Sequence, residues 1–281
     1  MRATTPAVLT ALTVAGCGGT HLTPPPPPPI GPSEGCQHPL APGAVTLETE
    51  IQGLTRRYIV VVPDTVATSS APLALVFGFH GQSWTAEAFR DGGGGPEKIS
   101  GGTAVFVYPN GQPRVGGSGW DLDLDGSDVE FFDVMYRDVL AKTCVDTRRV
   151  FVFGRSYGAY FANTLGCARG NYLAGLAALM GGGPPGDGLS CQAVSAWIYH
   201  AADDQTVAVT EGRKARDHYV LIDGCSGGPE ATMPGGCVRY PGCANGKRLV
   251  YCENPTGGHN PPDWSASAMW SFFTAISSAS P

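Results

Sequence analysis

The chain has 281 residues, 42% of them hydrophobic and 15% charged, enough apolar side chains to close one large core. Its formal net charge of -6 argues against a nucleic-acid partner, because phosphate binding needs a basic face. No run of about eighteen apolar residues occurs, so no membrane-spanning helix is expected.

The first residues read as a targeting segment rather than as fold. Met1-Arg2 is a short basic start, residues 7–15 are apolar, and Val14-Ala15-Gly16-Cys17 resembles the lipobox of bacterial lipoproteins, which would make Cys17 the lipidated first residue. An ordinary secretory signal cleaved nearby is the alternative, and both readings put the remainder outside the cytoplasm. Gly18-Gly19 and the prolines from Pro24 to Pro29 then form a polyproline II spacer, at about 3 Å per residue. The expected division is a lipoprotein-type signal over 1–16, a lipid-anchor cysteine and Pro-rich linker over 17–40, and one domain over 41–281, tethered to a membrane by the lipid.

Within that domain, strand-like runs fall at 57–62, 73–80, 104–108, 150–153, 173–179, 196–200 and 249–252. They are nearly continuous in apolar residues, the mark of strands buried on both faces. Helical patterns at 127–142, 157–168, 211–222 and 265–276 alternate with them, which predicts an α/β fold with a mostly parallel sheet. Ser127-Asp128-Val129-Glu130 has the form of a capping box and sets one helix start. Just ahead of it, Asp121, Asp123, Asp125 and Gly126 imitate the opening of a calcium loop, but the twelfth position is Phe132, which cannot ligate. A solvated acidic loop is the better reading, and no metal is expected.

Chemistry enters at Gly154-Arg155-Ser156-Tyr157-Gly158. This G-x-S-x-G follows a strand and opens a helix, the setting of a nucleophile elbow. The glycines are required because the turn strains its central serine and leaves no room for side chains two positions away. Downstream, Asp203 and Asp204 follow one strand and His259 follows another, in the loop Gly257-Gly258-His259. Nucleophile, acid and base in that order is the α/β-hydrolase arrangement, with either aspartate available as the acid. The oxyanion that such a serine generates needs backbone donors. One is expected from the Tyr157 amide, the other from His80-Gly81-Gln82, with the Gln82 amide preferred and Gly81 next, while His80 itself reads as structural. Trp84 and Trp120 are candidates to line an acyl pocket, with simple packing as the alternative.

Nine cysteines fit an exported protein. With Cys17 set aside, Cys36, Cys144, Cys167, Cys191, Cys225, Cys237, Cys243 and Cys252 remain, an even set that suggests disulfides, those from Cys225 to Cys252 pairing largely among themselves. Zinc is the rival, and no C-x-x-C pair supports it.

Taken together, the chain resembles the esterase family that includes polyhydroxybutyrate depolymerases and secreted feruloyl esterases. The matching stretches are Leu75 to Gly81, Val105 to Gly111, Gly119-Trp120-Asp121-Leu122, Gly126 to Val129 with Phe131-Phe132, and Cys144-Val145-Asp146 leading into the elbow. Cys237 to Cys243, Val250-Tyr251-Cys252 and Gly257-Gly258-His259 are similar to feruloyl esterases in particular. The family's His-Gly-x-x-Asp-x-x-Val maps onto His200, Ala201, Asp204 and Val207, which implies Asp204 as the triad acid with Asp203 in reserve. Two departures stand out: Ala201 replaces the usual glycine, and Arg155 is unusual beside a nucleophile. The resemblance implies a Ser156–His259–Asp204 serine esterase that needs no cofactor and acts on feruloylated polysaccharide. An aliphatic polyester is the alternative substrate, and an inactive surface-anchored binding lipoprotein the alternative of another class.

Overall fold

The computed structural model describes residues 26–67, 70–185 and 190–277; the expected signal over 1–16, Cys17 and the first two prolines of the spacer lie outside the described residues. In chain order the strands and helices are β1 (Gly43–Ile51), β2 (Leu54–Val62), β3 (Leu73–Phe79), α1 (Ala86–Gly92), β4 (Ala104–Pro109), β5 (Gln112–Arg114), β6 (Gly117–Gly119), α2 (Ser127–Lys142), β7 (Val145–Arg155), α3 (Tyr157–Arg169), β8 (Gly175–Leu179), β9 (Ser195–Ala201), α4 (Val209–Ile222), β10 (Glu230–Thr232), β11 (Cys237–Tyr240), β12 (Leu249–Asn254) and α5 (Ser265–Ser277).

Ten of the strands form one sheet in the order β1-β2-β4-β3-β7-β8-β9-β12-β11-β10. From β4 to β12 the neighbours run parallel, and an antiparallel pair extends each edge. Successive side chains of a strand point to opposite faces. Leu75, Phe77 and Phe79 of β3 therefore join the core under α2, α3 and α4, while Ala74 and Val76 join the core under α1 and α5. Burial on both faces explains why these strands read as unbroken apolar runs. The architecture is that of an α/β-hydrolase, and the parallel strands end in the loops that carry Ser156, Asp204 and His259.

Elements with other patterns escaped the reading by apolar runs. β1 is half-exposed and alternates, with Val45, Leu47, Thr49 and Ile51 turned inward, and it joins β2 through Gln52 and Gly53, both at positive φ. That pair suits a tight hairpin turn, whose twist matches the strands. The helix start at Ser127 is where the sequence put it, but the capping box does not form. Asp121 folds back instead, its Oδ2 accepting from the Ser127 amide and hydroxyl at 3.3 Å each, while Glu130 accepts from Gln52 Nε2 at 2.9 Å. One aspartate of the acidic loop is thereby committed to the helix end.

The domain also begins earlier than residue 41. Ser33 donates from its amide to the Val145 carbonyl at 2.8 Å, Leu40 N–H to the Lys142 carbonyl at 2.8 Å, and Cys36 is bonded to Cys144. Residues 31–40 are thus part of the body rather than linker, because a covalent bridge and backbone hydrogen bonds fix them to the start of β7. The other bridges are Cys167–Cys191, Cys225–Cys243 and Cys237–Cys252, the last joining residues directly opposite each other on β11 and β12. Among the described residues no helix is long and apolar enough to cross a membrane, and no three His, Cys, Asp or Glu side chains group as a metal site.

Candidate active site

Ser156 stands between β7 and α3 with φ 56° and ψ -120°, a left-handed backbone that a non-glycine residue adopts only under constraint. The constraint is steric. A Cβ on Gly154 would lie 2.0 Å from the Gly158 carbonyl oxygen, and one on Gly158 would lie 2.0 Å from the Phe79 carbonyl oxygen. The chain therefore turns so tightly, and so close to β3, that only hydrogen fits at either place. Ser156 remains partly exposed, and its amide donates to the Leu179 carbonyl at 2.9 Å.

Tyr157 is the first residue of α3, where a helix leaves its amides without intrahelical acceptors and concentrates positive partial charge. Facing it is the loop after β3, where a Cβ on Gly81 would come 3.4 Å from the Ser156 Cβ. His80 sets the orientation of this loop. Its Nε2 lies 2.9 Å from the Gly111 amide, which can only donate, so Nδ1 carries the proton and donates to the Gly81 carbonyl at 2.7 Å. In a trans peptide the N–H points opposite to the C=O, so the Gln82 amide is turned away from His80. Burial pushes the His80 imidazole down and keeps it neutral, as this pattern requires. The β5–β6 hairpin braces the loop from outside: Ser83 N–H donates to the Ser118 carbonyl at 2.8 Å, the Ser118 hydroxyl to the Trp84 carbonyl at 2.8 Å, and the Gln82 side-chain amide to the Gly116 carbonyl at 2.9 Å. No apolar run marked that hairpin in the sequence.

On the other side, His259 Nδ1 donates to Asp204 Oδ2 at 2.7 Å. Asp204 has a fully buried carboxylate whose Oδ1 accepts from the Thr206 and Val207 amides at 2.8 and 3.0 Å. Burial alone would raise this carboxyl, but the bonds from His259, Val207 and Thr206 outweigh it and hold the group below its ordinary range. Beneath it, His200 Nε2 donates to the Val207 carbonyl at 2.9 Å and lies 3.4 Å from Asp204 Oδ2. Asp203 faces the other way: its Oδ1 accepts from the Gly258 amide at 2.7 Å. The adjacent aspartates thus divide the loop between them, one holding the imidazole and one the backbone.

The two tryptophans separate. Trp84 is half-buried beside the elbow, with the Arg155 guanidinium 5.3 Å above its ring. Trp120 has no accessible surface and stacks on Phe161, its Nε1 donating to the His80 carbonyl at 2.8 Å. A side chain sealed in the core cannot line an acyl pocket, so Trp120, expected as a pocket candidate, is instead a prop beneath the loop after β3. Sequence reasoning also left Arg155 without a task; its Nη2 donates to the His259 carbonyl at 2.8 Å and to Asn260 Oδ1 at 2.9 Å. A cavity of about 810 Å³ between β11, β12 and α5, bordered by Trp197, Tyr240, Val250 and Trp264, includes none of these residues.

No family model matches the chain. It is 32% identical over 254 residues to feruloyl esterase D of Neurospora crassa, spanning 84% of this chain and 85% of that protein. To feruloyl esterase C of Emericella nidulans it is 28% identical over 240 residues, 78% of this chain and 84% of that one. Among solved structures, an acetyl xylan esterase from Aspergillus awamori superposes with a TM-score of 0.67 at 17% identity, covering 82% of this chain and 99% of that one. A ferulic acid esterase superposes with a TM-score of 0.56 at 13% identity over 85% and 99%. At those identities the structural likeness speaks for the fold.

Proposed function

The chain belongs to the feruloyl esterase family of carboxylic-ester hydrolases, and from that premise we propose that it releases hydroxycinnamates from feruloylated plant cell-wall polysaccharide by a serine acyl-enzyme mechanism. The observation that carries this reading is a strained, solvent-reachable Ser156 beside a histidine loop whose imidazole is fixed to a buried carboxylate at 2.7 Å. His259 takes the proton from the Ser156 hydroxyl as its oxygen attacks the ester carbonyl, then returns a proton to the leaving alcohol. Asp204 holds the imidazole in the tautomer that leaves Nε2 free to accept, and stabilises the charged ring. Water activated by His259 then opens the acyl-enzyme. The tetrahedral oxyanion is bound by the Tyr157 amide and by the loop amides, Gln82 first and Gly81 next, each donor being worth about 10²- to 10³-fold in rate. Trp84 forms a wall for the aromatic acyl group. The sequence of steps needs no cofactor.

Four disulfides support an extracytoplasmic location, since such bridges persist in oxidising compartments. Cys17 is the lipidated residue in this reading. Labelled palmitate should enter the full chain and fail to enter a Cys17→Ser variant; equal labelling of both would remove the anchor.

The functional test compares the protein with Ser156→Ala on methyl ferulate and on short hydroxybutyrate oligomers. Ferulate release that falls by about 10⁴-fold or more in the variant is expected. Serine-dependent cleavage of the oligomers alone would replace the substrate by an aliphatic polyester. No hydrolysis of any activated ester would turn the reading to an inactive binding lipoprotein.

A further inference from the structure

The residue ahead of the nucleophile is where this chain departs from what its resemblance leads one to expect, and the structure ties that residue to the opposite half of the site. Arg155 is the last residue of β7 and pairs with Leu179 of β8, so its backbone is as fixed as the sheet. Its guanidinium does not project into solvent. One nitrogen, Nη2, reaches both the His259 carbonyl, at 2.8 Å, and Asn260 Oδ1, at 2.9 Å, and the Trp84 ring covers the group 5.3 Å away.

The loop it meets needs an anchor. His259 follows two glycines at positive φ, Gly257 at 150° and Gly258 at 57°, and Asn260 beyond it is exposed. Asp204 holds the imidazole by a single hydrogen bond, about which the ring can still tilt. Where Nε2 stands relative to Ser156 therefore depends on where the His259 backbone is held. Asp203 holds that backbone from the acid strand, through Gly258. Arg155 holds it from the nucleophile's own strand.

We propose that Arg155 is a positioning residue, a strut from the nucleophile strand to the base loop that sets the reach of His259 to Ser156, with Trp84 keeping the strut from swinging outward. Lysine cannot replace it fully, because an ammonium on a flexible stem lacks the planar group that stacks on an aromatic ring while donating in its own plane. The proposal rests on the reading of Ser156 as nucleophile and His259 as base.

The test uses p-nitrophenyl acetate, a small activated ester that does not depend on the natural acyl group, alongside methyl ferulate. Arg155→Met should lower kcat about 10- to 100-fold on both esters, the scale of a misplaced catalytic group, and leave KM within about twofold. Arg155→Lys should recover part of the loss. Asn260→Ala, at an exposed position that leaves folding intact, should lower kcat a few-fold alone and add nothing in the Arg155→Met background. A structural role elsewhere in the fold would give neither the kcat-only loss nor the loss of additivity. Unchanged kcat in Arg155→Met, a loss confined to KM on methyl ferulate, or full additivity of the two variants would overturn the strut. Ser156→Ala measured on the same activated ester separates the two levels: if it kept the wild-type rate, the underlying reading would fail, whereas an inert Ser156→Ala beside a fully active Arg155→Met rejects only the strut.

Discussion

The Ser156 elbow and the histidine loop meet at one site but are held by different forces. The elbow is fixed by exclusion: at Gly154 and Gly158 the neighbouring backbone leaves no space for a Cβ, and Ser156 between them sits at φ 56° and ψ -120°. The histidine loop is fixed by attraction, through three side chains from two places in the sequence, Arg155 and the adjacent pair Asp203 and Asp204. Steric exclusion depends on neither pH nor salt, whereas hydrogen bonds to charged groups depend on both. The elbow should therefore fail all at once and the loop by degrees.

The largest expected effect tests the attractive side where it is buried. Asp204→Asn preserves the shape but removes the charge that holds Nδ1 protonated, and kcat should fall about 10⁴-fold with the far-UV spectrum unchanged. A loss under tenfold would mean that another carboxylate serves as the acid, with Asp203 the first to examine.

Next comes the steric side. Gly158→Ala sets a methyl 2.0 Å from the Phe79 carbonyl oxygen, so α3 must move off β3. Overpacking of this kind costs about 3 kcal/mol, and backbone on both sides leaves little room to relax. Thermal denaturation should show a lowered Tm together with lost activity; normal stability with normal activity would contradict the close approach.

Removing the outer anchor should cost far less. Asp203→Ala deletes the acceptor of the Gly258 amide at an exposed position, and a fall in kcat of about three- to tenfold is expected, since solvent replaces much of an exposed charged contact. A drop as large as that of Asp204→Asn would show that the two aspartates do not divide the work.

The smallest effect concerns the support of β9, the strand that delivers Asp204. Asp223 is buried, accepts from the Val194 amide at 3.0 Å, and burial pushes its carboxyl up to about 7 from an ordinary 3.8. The folded state thus keeps this proton up to about pH 7, while the unfolded chain releases it near 3.8. Stability from this group is fully present below pH 3.8 and is lost as pH rises toward 7, the opposite sign to Asp204, whose lowered carboxyl withdraws stability as pH falls. Asp223→Asn should flatten the decline of Tm between about pH 4 and 7; an identical slope in both proteins would remove Asp223 as its source.

Much of this was legible in one dimension, and the pattern of failures is physical. The strands buried on both faces announce themselves as apolar runs, and the helices between them follow from their period. β1 was missed because one of its faces is wet, so its signal is alternation. α1 was missed because seven residues carry too few turns to show a period. Ser127 marked the right helix start for the wrong reason, since Asp121 supplies the acceptor that the box was expected to provide. Trp120 and Trp84 were indistinguishable as letters; one lies under the loop after β3 and the other beside Arg155 only because β3 and α3 enclose the first.

What the sequence determined by itself is whatever a short stretch of chain enforces: the elbow from two glycines and a serine between strand and helix, the chain order of Ser156, Asp204 and His259 at successive strand ends, and the parallel core. The tertiary structure alone decided which groups meet across long intervals. It paired Cys36 with Cys144, set Asp203 on the backbone and Asp204 on the imidazole, and brought Arg155 to a loop more than a hundred residues away. Local motifs are written largely by sterics between chain neighbours, as at Gly154 against the Gly158 carbonyl, even where a more distant strand adds to the constraint, as β3 does at Gly158. Contacts such as those of Arg155 depend on where the sheet delivers two loop ends, and no spacing in the sequence records that distance.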